Sequence, residues 1–277
     1  MYRQLKKNIF KAKILGRLPF SEKTKRDALY SGMTWPNNAA FATVISFDID
    51  YMEDEAALTP VIELLQNNDC PASFACIGAM VEQRSGCYRL LPELGYEIIN
   101  HSMNHPYHRV IYPDDRWMNL SEEKIKTEII NCHDIIRTKL GYTCKGFRTP
   151  HFEFRGDIIP VLKELNYTYD SSGFYSEKEI AGSLPPLIDG FLEIPIYREA
   201  SSYRCVREQH LTDIQWSSKL EDILQYEASI GGIASFYFDP QDIPARPWVL
   251  QKLIKTAREN NAWLATYAEV AGHTAVL

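Results

Sequence analysis

Two short stretches of this chain carry side chains of the types that can ligate metal ions. Ser46-Phe47-Asp48-Ile49-Asp50 holds two carboxylates one residue apart, and Asn100-His101-Ser102-Met103-Asn104-His105 holds two imidazoles four residues apart. On an extended chain, residues i and i+2 project to the same side, so Asp48 and Asp50 are expected to face one way. On a helical turn, residues i and i+4 are neighbours, so His101 and His105 are expected to share one side of such a turn. One carboxylate and two imidazoles are a donor set suited to a catalytic zinc site, with positions left for water and substrate. Each pattern also has a plainer reading. The Asp pair can cap a turn, and the histidines can be packing or surface residues. Three further clusters add weight: Phe147-Arg148-Thr149-Pro150-His151, Tyr169-Asp170-Ser171-Ser172 and Phe238-Asp239-Pro240. All of them close strand-like runs.

Those runs must position the polar residues. Phe41–Phe47 is apolar and β-branched, which marks a buried strand. Similar runs occur at Ala72–Ile77, Tyr96–Asn100, Lys145–Arg148, Tyr167–Asp170, Leu192–Ile196, Ile233–Phe238 and Trp263–Thr266. Helical spacing of apolar residues fills the intervals at Glu55–Gln66, Ile158–Leu165, Leu220–Ser229 and Pro247–Glu259. A further helix is expected from the N-cap Ser121, with Glu122 and Glu123 at its positive start, to the stop at Gly141. Strand–helix alternation predicts an α/β fold with a parallel sheet. At this length a barrel is favoured over an open sheet, with its site at the C-terminal strand ends.

The 277 residues are 45% hydrophobic and 24% charged, enough to bury a core without disulfides. The six cysteines form no C-x-x-C pair and read as reduced thiols packed as small apolar groups. No apolar run approaches the ~18 residues of a membrane-spanning helix. The first residues lack the apolar core of a secretory signal, so a cytoplasmic location is expected. Nine of the 30 Lys/Arg and one of the 36 Asp/Glu lie in residues 1–26, giving that segment +8 and the remainder −14. The chain therefore divides into a basic arm over 1–38 and a barrel over 39–277. In the arm, Tyr2, Leu5, Ile9, Phe10, Ile14 and Leu18 recur at helical intervals among lysines. Such an arm either contacts an anionic membrane surface peripherally or packs on the barrel. The acidic body repels phosphates, which argues against nucleic acid. No phosphate loop, dinucleotide fingerprint or nucleophile elbow is present.

The order of SFDID, HSMNH, RTP, YDSS and SFYFDP resembles the polysaccharide deacetylase family, also called the NodB homology domain or carbohydrate esterase family 4. The resemblance runs over most of residues 40–270, and HSMNH is its most specific part. It implies a distorted (β/α)7 barrel that removes acetyl groups from an N-acetylated sugar. It also implies that Asp50, His101 and His105 bind a divalent metal, usually Zn²⁺. Asp48 would be the general base, oriented by Arg148. The backbone N–H of His151, following Pro150, would complete the oxyanion site, and Asp170 would belong to the fourth motif at the substrate site.

One departure bears on mechanism. The fifth motif in the family presents a His before Pro as the acid for the leaving amine, and here that residue is Asp239. A carboxyl with an ordinary pKa near 4 is ionised at pH 7 and has no proton to give. Three routes follow. Asp239 has a pKa raised by burial or by Asp170; His151 or His108 supplies the proton; or the chain binds metal and turns over little. The loop Pro106–Leu120 offers Tyr107, His108, Tyr112, Arg116 and Trp117, either as a sugar-stacking subsite or as buried loop anchors. Tyr203, Arg207, His210 and Trp216 are candidates for an opposite wall. The rival activities are opening of a cyclic amide or imide, and glycan binding without catalysis.

Overall fold

The computed structural model describes residues 34–108, 110–174, 187–188 and 191–274. The strands are β1 (Phe41–Ile49), β2 (Ser73–Cys76), β3 (Glu97–Asn100), β4 (Gly146–Phe147), β5 (Tyr169–Asp170), β6 (Leu187–Ile188), β7 (Phe191–Glu193), β8 (Ile233–Phe238) and β9 (Ala262–Ala265). Their order in the sheet is β6-β7-β5-β4-β3-β2-β1-β8. Every pairing is parallel except the β6–β7 hairpin. β1 is the hub. Its second half pairs with β2 and its first half with β9, while β8 pairs along Ala42–Phe47. Beyond β7 the chain bridges Phe174 at Ile196, and Tyr197 donates its N–H to Ser235 O at 2.9 Å. That contact carries the strand series round to β8. The result is a distorted parallel barrel ringed by helices.

The helices are α1 (Met52–Ala56), α2 (Leu58–Gln66), α3 (Gly78–Tyr88), α4 (Leu90–Glu93), α5 (Glu122–Leu140), α6 (Ile159–Glu164), α7 (Asp213–Ile230), α8 (Pro247–Glu259) and α9 (Tyr267–Thr274). The sequence expects one helix over Glu55–Gln66, but Ala57 separates two. α5 has the expected ends: Ser121 Oγ accepts from Lys124 N, and Gly141 closes it in the left-handed region at φ 66°. Helix α3 has no counterpart in the sequence reading, because Gly78, Gly86 and its polar residues blur any apolar stripe. Helix α7 begins seven residues before the expected Leu220, at a capping box formed by Thr212 and Gln215.

Strand alternation sorts the core into two zones. Phe41, Ile45, Phe47 and Ile49 of β1 pack outward among the helices. Ala42 and Val44 face the interior with Ala75, Ile99, Tyr169, Leu192 and Tyr267. Small residues on β1 leave room for the rings of Tyr169 and Tyr267, which stack at 5.5 Å. A buried carboxyl, Glu97, accepts from Ser73 Oγ at 2.7 Å and from Tyr169 Oη at 2.6 Å.

Trp35 also belongs to this body. It is buried, donates Nε1–H to Gly231 O at 2.8 Å and packs on Trp263 and His273. Residues 1–33, with the arm's amphipathic pattern, lie outside the described residues. Among the described residues, no helix is long and apolar enough to cross a membrane. The cysteines are free, and all but Cys87 are buried, as their apolar reading requires.

Gly146 tests the interior packing. A Cβ there would lie 1.9 Å from the Tyr169 ring, with no flexible chain end to yield. Gly146→Ala is expected to destabilise the fold by about 1–3 kcal/mol, the usual cost of overpacking, measured by urea unfolding.

Candidate metal centre

The even-numbered residues of β1 continue the interior row towards the mouth of the barrel as Ser46, Asp48 and, one residue past the strand, Asp50. Opposite them, Arg148 follows β4 and is fully buried. Its Nη1 contacts Asp48 Oδ1, Nη2 donates to Ser46 Oγ at 3.0 Å and Nε donates to Ser171 Oγ at 3.2 Å. The guanidinium also lies over the rings of Tyr267 and Phe152, at 5.3 and 5.5 Å. Burial raises the Asp48 carboxyl above its ordinary range, and the charge of Arg148 opposes that rise. Asp48 is therefore a stronger base than a surface carboxylate and is held in one orientation.

His101 and His105 reach the same space by a different path from the helical turn expected. Residues 101–108 are irregular: Ser102, His105 and Tyr107 all take left-handed backbone angles, φ 64°, 49° and 69°. Side chains hold these turns. Asn100 Oδ1 accepts from Ser102 N, Ser102 Oγ accepts from His105 N, and Glu128 of α5 accepts from both the backbone and the side-chain amide of Asn104.

The imidazoles meet Asp50. His101 Nε2 lies 3.4 Å and His105 Nε2 3.7 Å from Asp50 Oδ1. One ligand atom from each of the three residues falls within 4.8 Å of the others. His101 Nδ1 faces the Arg148 carbonyl oxygen at 2.8 Å. A carbonyl can only accept, so Nδ1 carries the proton and Nε2 turns a lone pair towards Asp50. Asp50 Oδ1 and both ring nitrogens of His105 are buried without a hydrogen-bond partner. Such atoms are costly to leave unpaired, and a divalent cation would satisfy Asp50 Oδ1 and one ring nitrogen of His105 together with His101 Nε2. The donors therefore fit a metal of the zinc type, and the His101–carbonyl bond is the usual outer support of a metal-binding histidine.

Asp239 lies after β8 on the far side of β1. Its Oδ2 is 2.9 Å from Arg207 Nη2, which also contacts Asp242 at 3.0 Å. Burial and the nearby Asp54 push Asp239 well above the ordinary carboxylate range, against the pull of Arg207. The charges that act most on Asp239 are those of Asp54, Arg207, Asp50 and Asp242. Asp170 is buried, hydrogen bonded by Ser172, and faces Glu193 across β5 and β7.

The remaining candidates divide by exposure. Tyr107 is 53% exposed at the mouth, 5.8 Å from the His151 ring, and Arg116 sits over it at 5.4 Å. The His151 ring lies 4.7 Å from His105. Burial, opposed by the charge of Asp50, pushes His151 below the ordinary imidazole range, towards its neutral form. Trp117 is fully buried against Phe147 and cannot stack on a sugar, so the anchoring reading holds for it; Trp216 is buried as well and offers no face to an opposite wall. Pro150 is buried and shapes the turn after Arg148. His108 is no proton donor to substrate, because both ring nitrogens are bonded to backbone.

Sequence reasoning missed Asp54, Gln241 and Glu193. Asp54 Oδ2 accepts from Asp50 N and Tyr51 N, and its Oδ1 accepts from Gln241 N and Nε2. It thereby ties the end of β1 to the turn after β8. Burial, reinforced by Asp50, raises it to about 7. Its signal was a carboxylate four residues beyond Asp50. That of Glu193 was a lone charge inside an apolar strand.

The sequence model of a family described as polysaccharide deacetylase matches residues 37–169. Over those residues, a little under half of its length, the chain is similar to the polysaccharide deacetylase family. No curated protein matches it by sequence. Among solved structures, it resembles a Mycobacterium smegmatis protein assigned as a polysaccharide deacetylase, with TM-score 0.71 and 18% identity over 88% of this chain and 93% of that one. The PuuE allantoinase gives a TM-score of 0.66 at 14% identity, covering 87% and 92%. A pseudoenzyme of carbohydrate esterase family 4 from Bacillus anthracis gives 0.55 at 14% identity, covering 86% and 66%. At these identities the likeness is one of fold.

Two stability tests follow from the buried charges. Arg148→Met leaves Asp48 buried without its partner and should cost about 3–5 kcal/mol, part of which the double variant with Asp48→Asn should recover in urea unfolding. Burial also raises both Asp170 and Glu193, the latter further through the Asp170 charge. The fold therefore holds a proton there that the unfolded chain has lost above pH ~4. That stabilisation is complete in acid and is lost as pH rises through the folded pKa values. Glu193→Gln should flatten the fall in melting temperature with rising pH.

Proposed function

We propose that this chain is a metal-dependent hydrolase that removes the acetyl group from an N-acetylated sugar. The observation that carries the proposal is the convergence of Asp50, His101 and His105 beside the Asp48–Arg148 pair. A zinc-type cation held by those three residues would supply a water of pKa near 7 and polarise the acetyl carbonyl. Asp48 takes the proton of the attacking water, its carboxyl kept in line by Arg148. Arg148 in turn is fixed by Ser46, Ser171 and two aromatic faces, so the base needs little reorganisation during the reaction.

When the C–N bond breaks, the leaving nitrogen needs a proton. Asp239 is the better donor of the two candidates, since its carboxyl is shifted towards the protonated form and His151 towards the neutral form. Tyr107 provides an exposed aromatic face beside the site for a sugar ring. The allantoinase likeness makes cyclic ureides the competing substrate class, because the same groups can attack a cyclic amide.

The test is acetate release from a panel of N-acetylated glycans and nucleotide sugars, run beside cyclic ureides. Release from an N-acetyl sugar should be abolished by a chelator and restored by zinc. Asp48→Asn should lower the rate by about 10²–10⁴ while metal stays bound. Asp239→Asn should slow the reaction more than His151→Ala. A metal-loaded protein that opens ureides, or that binds sugar without releasing acetate, would refute the proposal.

A further inference from the structure

We infer that His108 is a positioning residue that fixes the backbone of Asp50 and so sets the affinity of the metal centre. The inference rests on the metal-binding reading above. Asp50 lies one residue beyond β1, whose pairing with β2 ends at Ile49 and Cys76. The strand ladder therefore does not hold the Asp50 peptide. Two side chains do. Asp54 accepts from its N–H at 3.3 Å, and His108 Nε2 meets its carbonyl oxygen at 2.5 Å.

The tautomer of His108 follows from its other nitrogen. Val110 N and Ile111 N both point at Nδ1, at 3.1 and 3.0 Å. Two donors require an acceptor, so the proton is on Nε2, which donates to Asp50 O. The imidazole is buried, and both of its nitrogens are bonded to backbone. It is packed 4.7 Å from the Tyr51 ring and 5.7 Å from the His105 ring. Its own backbone N–H bonds to His105 O at 2.8 Å. One ring thus joins the strand end that carries the carboxylate ligand to the loop that carries both imidazole ligands. Ligands drawn from separate elements need such bracing, because a metal site tolerates only about 0.5 Å of misplacement.

Side-chain shape allows the two bonds of His108 to be separated. Asn can place a carbonyl where Nδ1 accepts from the loop, but it is too short to reach Asp50. Gln can place an N–H where Nε2 donates to Asp50. Zinc affinity of the full chain would be measured by competition with a chromophoric chelator, with the cobalt absorption spectrum as a second readout and thermal melting as the folding control. His108→Ala and His108→Asn should weaken zinc binding by about 10–100-fold and alter the cobalt spectrum, while His108→Gln should stay near wild type. Unchanged affinity in His108→Asn, or an equal loss in His108→Gln, would overturn the inference and leave the proposed metal site standing. A wild-type chain that binds no zinc would instead overturn the metal site, and this inference with it.

Discussion

Asp50 Oδ1 and the Nε2 atoms of His101 and His105 face one another at the mouth of the barrel, and neither Asp50 Oδ1 nor His105 Nε2 has a hydrogen-bond partner. Lone pairs aimed at each other across 3.4 to 3.7 Å in a largely buried space repel unless a cation or a proton lies between them. Much of the surrounding structure serves to hold that arrangement. Arg148 receives the His101 proton on its carbonyl and pairs its guanidinium with Asp48. Asp54 and His108 grip the two sides of the Asp50 peptide, and Glu128 fixes the loop through Asn104.

The support reaches deeper than the mouth. Arg148 rests on Tyr267, which stacks on Tyr169, whose hydroxyl bonds to the buried Glu97. A column of aromatic and polar side chains therefore fills the axis beneath the site where aliphatic residues would otherwise pack. Fully bonded buried polar groups of this kind rigidify their surroundings. The arrangement favours a base whose position is fixed before substrate arrives, which is where preorganised catalysis gains most.

Much of this was legible in the sequence. Phe41–Phe47 announced β1 by its β-branched run, and the polar residues at strand ends marked the mouth of a barrel before any geometry was known. Asp50, His101 and His105 were identifiable by type and spacing. The path between them was not. A helical turn was the natural reading of His-x-x-x-His, yet left-handed backbone at Ser102 and His105 brings the rings together, because local side-chain bonds outweigh helix geometry. Aromatic residues were also ambiguous: Tyr107 and Trp117 lie in one loop, and only tertiary packing exposes the first and buries the second. Asp54 and Glu193 act through partners far away in the chain, which one-dimensional spacing does not reveal.

The most direct test is X-ray absorption spectroscopy on the full chain loaded with zinc and freed of excess metal. One zinc per chain, with a first shell of nitrogen and oxygen scatterers and the outer-shell signature of two imidazoles, is the expected result, and His105→Ala should reduce that to one imidazole. A chain that retains no zinc, or a spectrum with sulfur ligands or without imidazole that His105→Ala leaves unchanged, would contradict it.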